Sequence, residues 1–104
     1  MAKIIFVSSP YSGDVENNVE KARKYCRYVV DQNHIPLAPH LLFTQFMDDA
    51  NIEERSKAIG FGLALLRLCD EVWIFGDTIS NGMEKEIEFA KRIGKPVKYL
   101  GEIE

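Results

Sequence analysis

The sequence has little cysteine, and the two it has are not spaced for chelation or redox work. Cys26 falls on the apolar side of a helical pattern and Cys69 just ahead of a strand-like run, with no Cys-x-x-Cys and no histidine-rich neighbourhood. Both read as buried thiols of a reducing compartment. No metal ligand set is apparent and no Gly-rich dinucleotide fingerprint follows the first strand-like run, so no metal and no cofactor is expected. Long apolar runs are missing too: stretches such as Ile4 to Val7 fall far short of the roughly 20 residues a membrane helix needs. A charged start followed by an apolar stretch and a small-residue cleavage site is not visible, and a cytoplasmic protein that makes no membrane contact is the expectation. Nor is there a basic excess. Thirteen Lys and Arg against sixteen Asp and Glu leave a net charge of −3, which argues against a nucleic acid polymer as partner. No internal repeat, linker or low-complexity segment breaks the chain, and its 104 residues suffice for one core, so residues 1–104 are read as a single domain.

What is present alternates. Lys3 to Ser9 ("KIIFVSS") is an apolar, β-branched run ended by Ser-Ser-Pro and reads as a strand buried on both faces. Behind Asp14 as N-cap, Val15, Val19, Ala22, Cys26, Val29 and Val30 recur at helical spacing, with Glu16, Glu20, Lys21, Lys24 and Asp31 opposite. "IPLAP" is a short second strand whose prolines place it at the sheet edge or confine its pairing to two or three residues. A loop rich in aromatics and acids ("HLLFTQFMDDAN") leads into a helix from Ile52 to Leu68. "EVWIFG" is the third strand, Ser80 to Gly94 the third helix and "PVKYLG" the fourth strand. Such alternation implies an α/β fold of the small Rossmann/flavodoxin-like kind: a three-layer sandwich on a four-stranded parallel sheet, order 2-1-3-4.

In such a sheet a ligand binds beyond the carboxyl ends of the strands, at the switch point between strands one and three. Topology therefore nominates "SSPYSGD", "APHLLF" and "GDTISNG". Ser80, Asn81 and Gly82 can present a hydroxyl, an amide and free backbone N–H groups at a helix N-terminus, where an anion such as phosphate is favoured. Simple capping, with Asn81 and Glu84 as a capping box, accounts for the same residues. His40 points towards the site as a donor to base or phosphate, or else serves at an interface or as a cap; Tyr11 can stack on a ligand or pin its loop. Asp77, directly after the third strand, is the better acid for touching a ligand, while Asp70 and Trp73 read as structural and core, and His34 as a partner of the first helix's C-terminal dipole.

Glu86 stands out by phase. Met83, Ile87, Ala90 and Ile93 share one side of the third helix and Glu86 falls among them, whereas Glu84, Glu88, Lys91, Arg92 and Lys95 project the other way. A carboxylate on a buried stripe costs several kcal/mol unless it is paired or opens onto a wet cavity. A salt bridge at the edge of the stripe is the alternative to a chemical role.

The strand ending in "SSPYSG", the strand preceded as "CDEVWIFG", and the run Ser80-Asn81-Gly82, Glu86, Ala90 and Gly94-Lys95-Pro96 resemble the nucleoside 2-deoxyribosyltransferase superfamily, which includes the 2'-deoxynucleoside 5'-phosphate N-hydrolases. The chain resembles most the small phage and bacterial relatives of that group, over nearly its whole length. The resemblance implies that Glu86 attacks the anomeric carbon of a deoxyribose, that Ser80 and Gly82 hold a phosphate, and that Ser9, Tyr11, Ser12 and Gly13 lie on a loop wrapping sugar and phosphate. It also implies a small-molecule nucleoside or nucleotide as partner and a homodimer or larger homo-oligomer. Two positions depart from the pattern. Gly62 stands where the N-hydrolases carry the acid that assists the leaving base, and Ile5 where they carry a tyrosine. Asp48, Asp49 or Glu54 would have to reach in from the second loop to replace that acid, or the base would leave unassisted. Cleavage or transfer at the N-glycosidic bond of a (deoxy)nucleoside or its 5'-monophosphate is the first expectation, hydrolase and transferase being left open. Non-catalytic binding of a nucleotide or ADP-ribose-like ligand is the alternative, and an interaction protein that kept only the scaffold is the third. Leu41, Leu42, Phe43, Phe46 and Met47 on the second loop, with an apolar second helix, are more than a monomer normally leaves wet.

Overall fold

In the computed structural model, which describes residues 2–103, β1 (Ile4–Ser8) pairs in parallel with β2 (Ile35–Leu37) on one side and β3 (Glu71–Phe75) on the other. β4 (Val97–Gly101) completes a four-stranded parallel sheet of order β2-β1-β3-β4, as the alternation of patterns implied. The helices are α1 (Val15–Asp31), α2 (Pro39–Leu42), α3 (Ile52–Leu68) and α4 (Asn81–Arg92). None of the helices among the described residues is long and apolar enough to cross a membrane.

Side chains alternate across the strands, so the sheet buries two cores. On one face Phe6, Val72 and Ile74 meet Leu66 of α3 and Met83, Ile87 and Ala90 of α4. On the other, Ile5, Val7, Trp73 and Phe75 meet Tyr25 and Val29 of α1 together with Ala38. Each large apolar side chain so enclosed stabilises by about 1.5–3 kcal/mol. β1 and β3 are therefore sealed on both faces, and a ligand can reach them only at their ends.

Several expectations need correction. The second loop is partly helical: α2 starts at Pro39, whose fixed φ suits a first helical position, and a 3₁₀ turn spans Phe43–Gln45. In α1 the buried positions are Ala22, Tyr25 and Val29, while Val15 and Val30 are exposed and Cys26 is only partly covered. Tyr25 enters the core because its ring stacks on Phe75 at 4.7 Å and its hydroxyl finds Glu102 at 2.5 Å, a partner far along the chain. His34 does not serve the helix dipole; its Nδ1 accepts from the backbone N–H of Lys3 at 3.1 Å and its ring meets Trp73 edge-on. The cap of α4 is Ser80 rather than Asn81. Its hydroxyl accepts from the Met83 N–H at 3.2 Å, and the Met83 sulfur accepts in return from the Ser80 N–H. Asp70 is structural as read, its carboxylate accepting from the Ile4 N–H at 2.7 Å.

One glycine shapes the carboxyl end. Gly76 ends β3 at φ +98°, and a Cβ there would come within 3.2 Å of the Pro10 ring. A glycine thus lets the loops after β1 and β3 close up on each other.

Candidate functional site

Beside the carboxyl end of β1 lies a cavity of about 500 Å³, within the range of small-molecule sites. Its walls come from four places: Tyr11 and Ser12 after β1, His40 and Phe43 after β2, one face of α3 including Gly62, and the first turns of α4. The fold brings these together because short loops follow parallel strands whose carboxyl ends all face the same way.

Glu86 lines this cavity from α4. Helical phase carries it inward with Met83, Ile87 and Ala90, which are buried, while Glu84 and Glu88 stay exposed and Glu88 pairs with Arg92 at 2.9 Å. Its Oε1 accepts a hydrogen bond of 2.6 Å from the Ser8 hydroxyl. Among the described residues no cation lies within ion-pair distance of it, so the salt bridge weighed as the alternative is not what holds it. Burial pushes the carboxyl up from 4.5 to about 7, and the Ser8 bond only partly opposes that. A carboxyl poised there can exist in either form near neutrality.

Around it, the Ser80 hydroxyl, Asn81 and Gly82 line the cavity at the N-terminus of α4. His40 and Tyr11 also line it and stack on each other, ring centroids 5.2 Å apart. Burial lowers the His40 pKa, against upward pushes from the Ser9 backbone and from Asp49, so the neutral imidazole is favoured. Of the three acids considered in place of one at position 62, Asp49 reaches the cavity wall. Glu54 accepts instead from the Asp48 N–H and Asp48 from the Ala50 N–H, which ties both into the loop. Gly62 itself lines the cavity, and a Cβ there would touch only the Pro39 ring at 3.9 Å.

Three nominated residues are elsewhere. Ser9 is buried, its hydroxyl enclosed without a partner among the described residues; Gly13 is exposed at φ +94°; Asp77 is exposed, and its charge acts on Tyr25 of α1. Phe46 is 68% exposed, whereas Phe43 lies at the cavity.

Sequence reasoning passed over Arg55 and Lys85, and it did not single out Ser8 although that residue opens the nominated "SSPYSGD" stretch. Ser8 had a readable signal, since it follows Phe6 by two residues and so faces α4, the face that carries Glu86. Arg55 and Lys85 bring positive charge to the cavity wall. They had none, because each is an ordinary polar position of its helix.

The fold is shared with solved enzymes. The 2-deoxyribosyltransferase from the psychrotolerant bacterium Bacillus psychrosaccharolyticus superposes with a TM-score of 0.70 at 22% identity, over 94% of this chain and 72% of that one. The 2-deoxyribosyltransferase from Leishmania mexicana gives 0.65 at 18% identity, over 95% of this chain and 64% of that one. This chain thus spans just under two thirds of the second enzyme's length. No curated protein matches it in sequence. The family described as a domain of unknown function (DUF7768) matches residues 3–100, and the chain belongs to that family, built on the fold of the 2-deoxyribosyltransferases.

Proposed function

We propose that the protein cleaves or transfers at the N-glycosidic bond of a deoxynucleoside or its 5'-monophosphate, with Glu86 as nucleophile. The observation that carries this reading is a glutamate that lines a nucleoside-sized cavity and that, among the described residues, is held by a single hydroxyl and paired with no cation. A Glu86 oxygen bonds to the anomeric carbon as the C–N bond breaks, and the bonding pair leaves on the base nitrogen. The base takes its proton from Asp49 or from water. Water or a second base then attacks the same carbon, and the carboxylate leaves unchanged. Ser80 and Gly82 at the N-terminus of α4 hold the phosphate where partial positive charge is greatest.

Incubation with a panel of deoxynucleosides and their monophosphates, with released base followed by chromatography, tests this directly. Saturable release that Glu86→Gln abolishes is the expected result. A second reading rests on Gly62: with no acid side chain on that stretch of α3, the same cavity would hold a nucleotide or ADP-ribose-like ligand without turnover. Ligand-dependent rise in melting temperature without base release would favour it. We also propose a homodimer, because Ile52, Ile59, Phe61 and Leu68 of α3 are 43–84% exposed, which light scattering checks as a mass of at least two chains.

A further inference from the structure

Ser8 is fully enclosed at the end of β1, on the face otherwise filled by Phe6, Val72, Ile74 and the apolar side chains of α4. A hydroxyl in such a place is unfavourable unless it is bonded, and Ala would serve packing as well. Its partner is Oε1 of Glu86 at 2.6 Å, across 78 positions of sequence. Oε2 accepts no hydrogen bond among the described residues. It is not sealed in either, since the enclosed polar side-chain atom lacking a partner among those residues is Ser9 Oγ. The two oxygens of one carboxylate are thus made unequal by the fold.

We propose that Ser8 is the positioning residue of this centre: its hydroxyl fixes Oε1 of Glu86 and its rotamer, leaving Oε2 as the oxygen that meets the anomeric carbon. This rests on the nucleophilic reading of Glu86 given above. Engagement of Oε1 by a donor anchored in the sheet holds the attacking atom still before substrate arrives, which is how orientation lowers a barrier. The charged groups sharing the cavity are Asp49 before α3, Arg55 on α3 and Lys85 on α4, with His40 on α2; among the described residues none of them bonds to Glu86, so the Ser8 hydroxyl alone discriminates between the two oxygens.

The test uses the intact chain. Carbon-13 NMR of labelled glutamate carboxyls, with the Glu86 signal assigned by its loss in Glu86→Gln, follows the titration of Glu86 in wild type, Ser8→Ala and Ser8→Thr. Removal of a donor to the ionised form should move the Glu86 midpoint upward in Ser8→Ala, while Ser8→Thr keeps the wild-type midpoint. Turnover is read on the alkaline plateau, where ionisation is complete in each variant. There kcat of Ser8→Ala should fall at least about tenfold with KM nearly unchanged, and Ser8→Thr should recover most of it. Should Ser8→Ala not fold, Ser8→Cys keeps the shape with a weaker donor and gives the same changes in smaller measure. An unmoved midpoint, or a loss confined to KM or to melting temperature, overturns the proposal. If wild type releases no base from any compound, the glycosidic reading falls, and the titration still decides whether Ser8 holds Glu86.

Discussion

Glu71, at the amino end of β3, and Glu86, beside the carboxyl end of β1, are both partly buried glutamates of one small sheet fold, and their surroundings act on them in opposite senses. Glu71 bonds to the Lys3 ammonium at 2.8 Å and to the Trp73 indole N–H at 2.9 Å, and these donors hold its carboxyl below the ordinary value. Among the described residues Glu86 has one hydroxyl as partner and no cation, and burial pushes it to about 7. The amino end is a region where polar groups are satisfied: Asp70 caps Ile4, His34 accepts from Lys3, and Lys98 lies over Trp73. Among the described residues the carboxyl end leaves a carboxyl underpaired and an enclosed Ser9 hydroxyl unpaired. Local rules of satisfaction are kept where the sheet is only being built and broken where a ligand is expected, a pattern typical of functional sites.

The largest break in that comparison is chemical. Glu86→Gln should lower base release on the order of 10⁴-fold or more, as loss of a nucleophile does, whereas Glu71→Gln should leave turnover within about twofold. Chromatographic assay of the two variants side by side settles it.

Next comes stability against pH. Glu86 has a folded value of about 7 against an ordinary 4.5, so between these the folded state holds more protons and stability falls as pH rises. Relative to wild type, Glu86→Gln should gain nothing at pH 4.5 and up to about 3 kcal/mol above pH 7, measured by urea unfolding at several pH values. A loss of about 3 kcal/mol at pH 8 would instead mark a structural carboxylate and sink the catalytic reading.

Ser80→Ala should weaken binding of a 5'-monophosphate by about 1.5–3 kcal/mol through loss of a charge-assisted bond, and the matching nucleoside far less. Calorimetric titration of both ligands is the check. A fall in stability of about 1 kcal/mol from the lost cap should accompany it, independent of ligand.

The smallest effect lies at the amino end. The folded value of Glu71 is depressed, so its contribution is present above the unfolded value and is lost as pH falls through the folded one, the reverse of Glu86. Its partner Lys3 is half exposed, so solvent screening limits the loss on Glu71→Gln at neutral pH to about 1 kcal/mol, and high salt should erase most of it.

The alternation of strand and helix patterns along the chain implied the parallel sheet and its order, and periodicity within single segments placed the N-cap at Asp14, the span of α3 and the inward phase of Glu86. Tertiary structure decided what faces what. Ser8 and Glu86 are 78 positions apart, Tyr25 and Glu102 are 77 apart, and no local pattern encodes such pairs. Asp77 looked like a ligand contact because it directly follows a strand, yet it is exposed and is not among the residues that line the cavity. Asp49 and Arg55 reached the cavity because α3 and the turn before it supply part of its wall, a matter of packing between elements. Secondary structure follows from neighbours in sequence, whereas the protonation of a carboxyl follows from whatever donors and apolar surfaces the closed sheet sets around it, and those are decided only once the chain has folded.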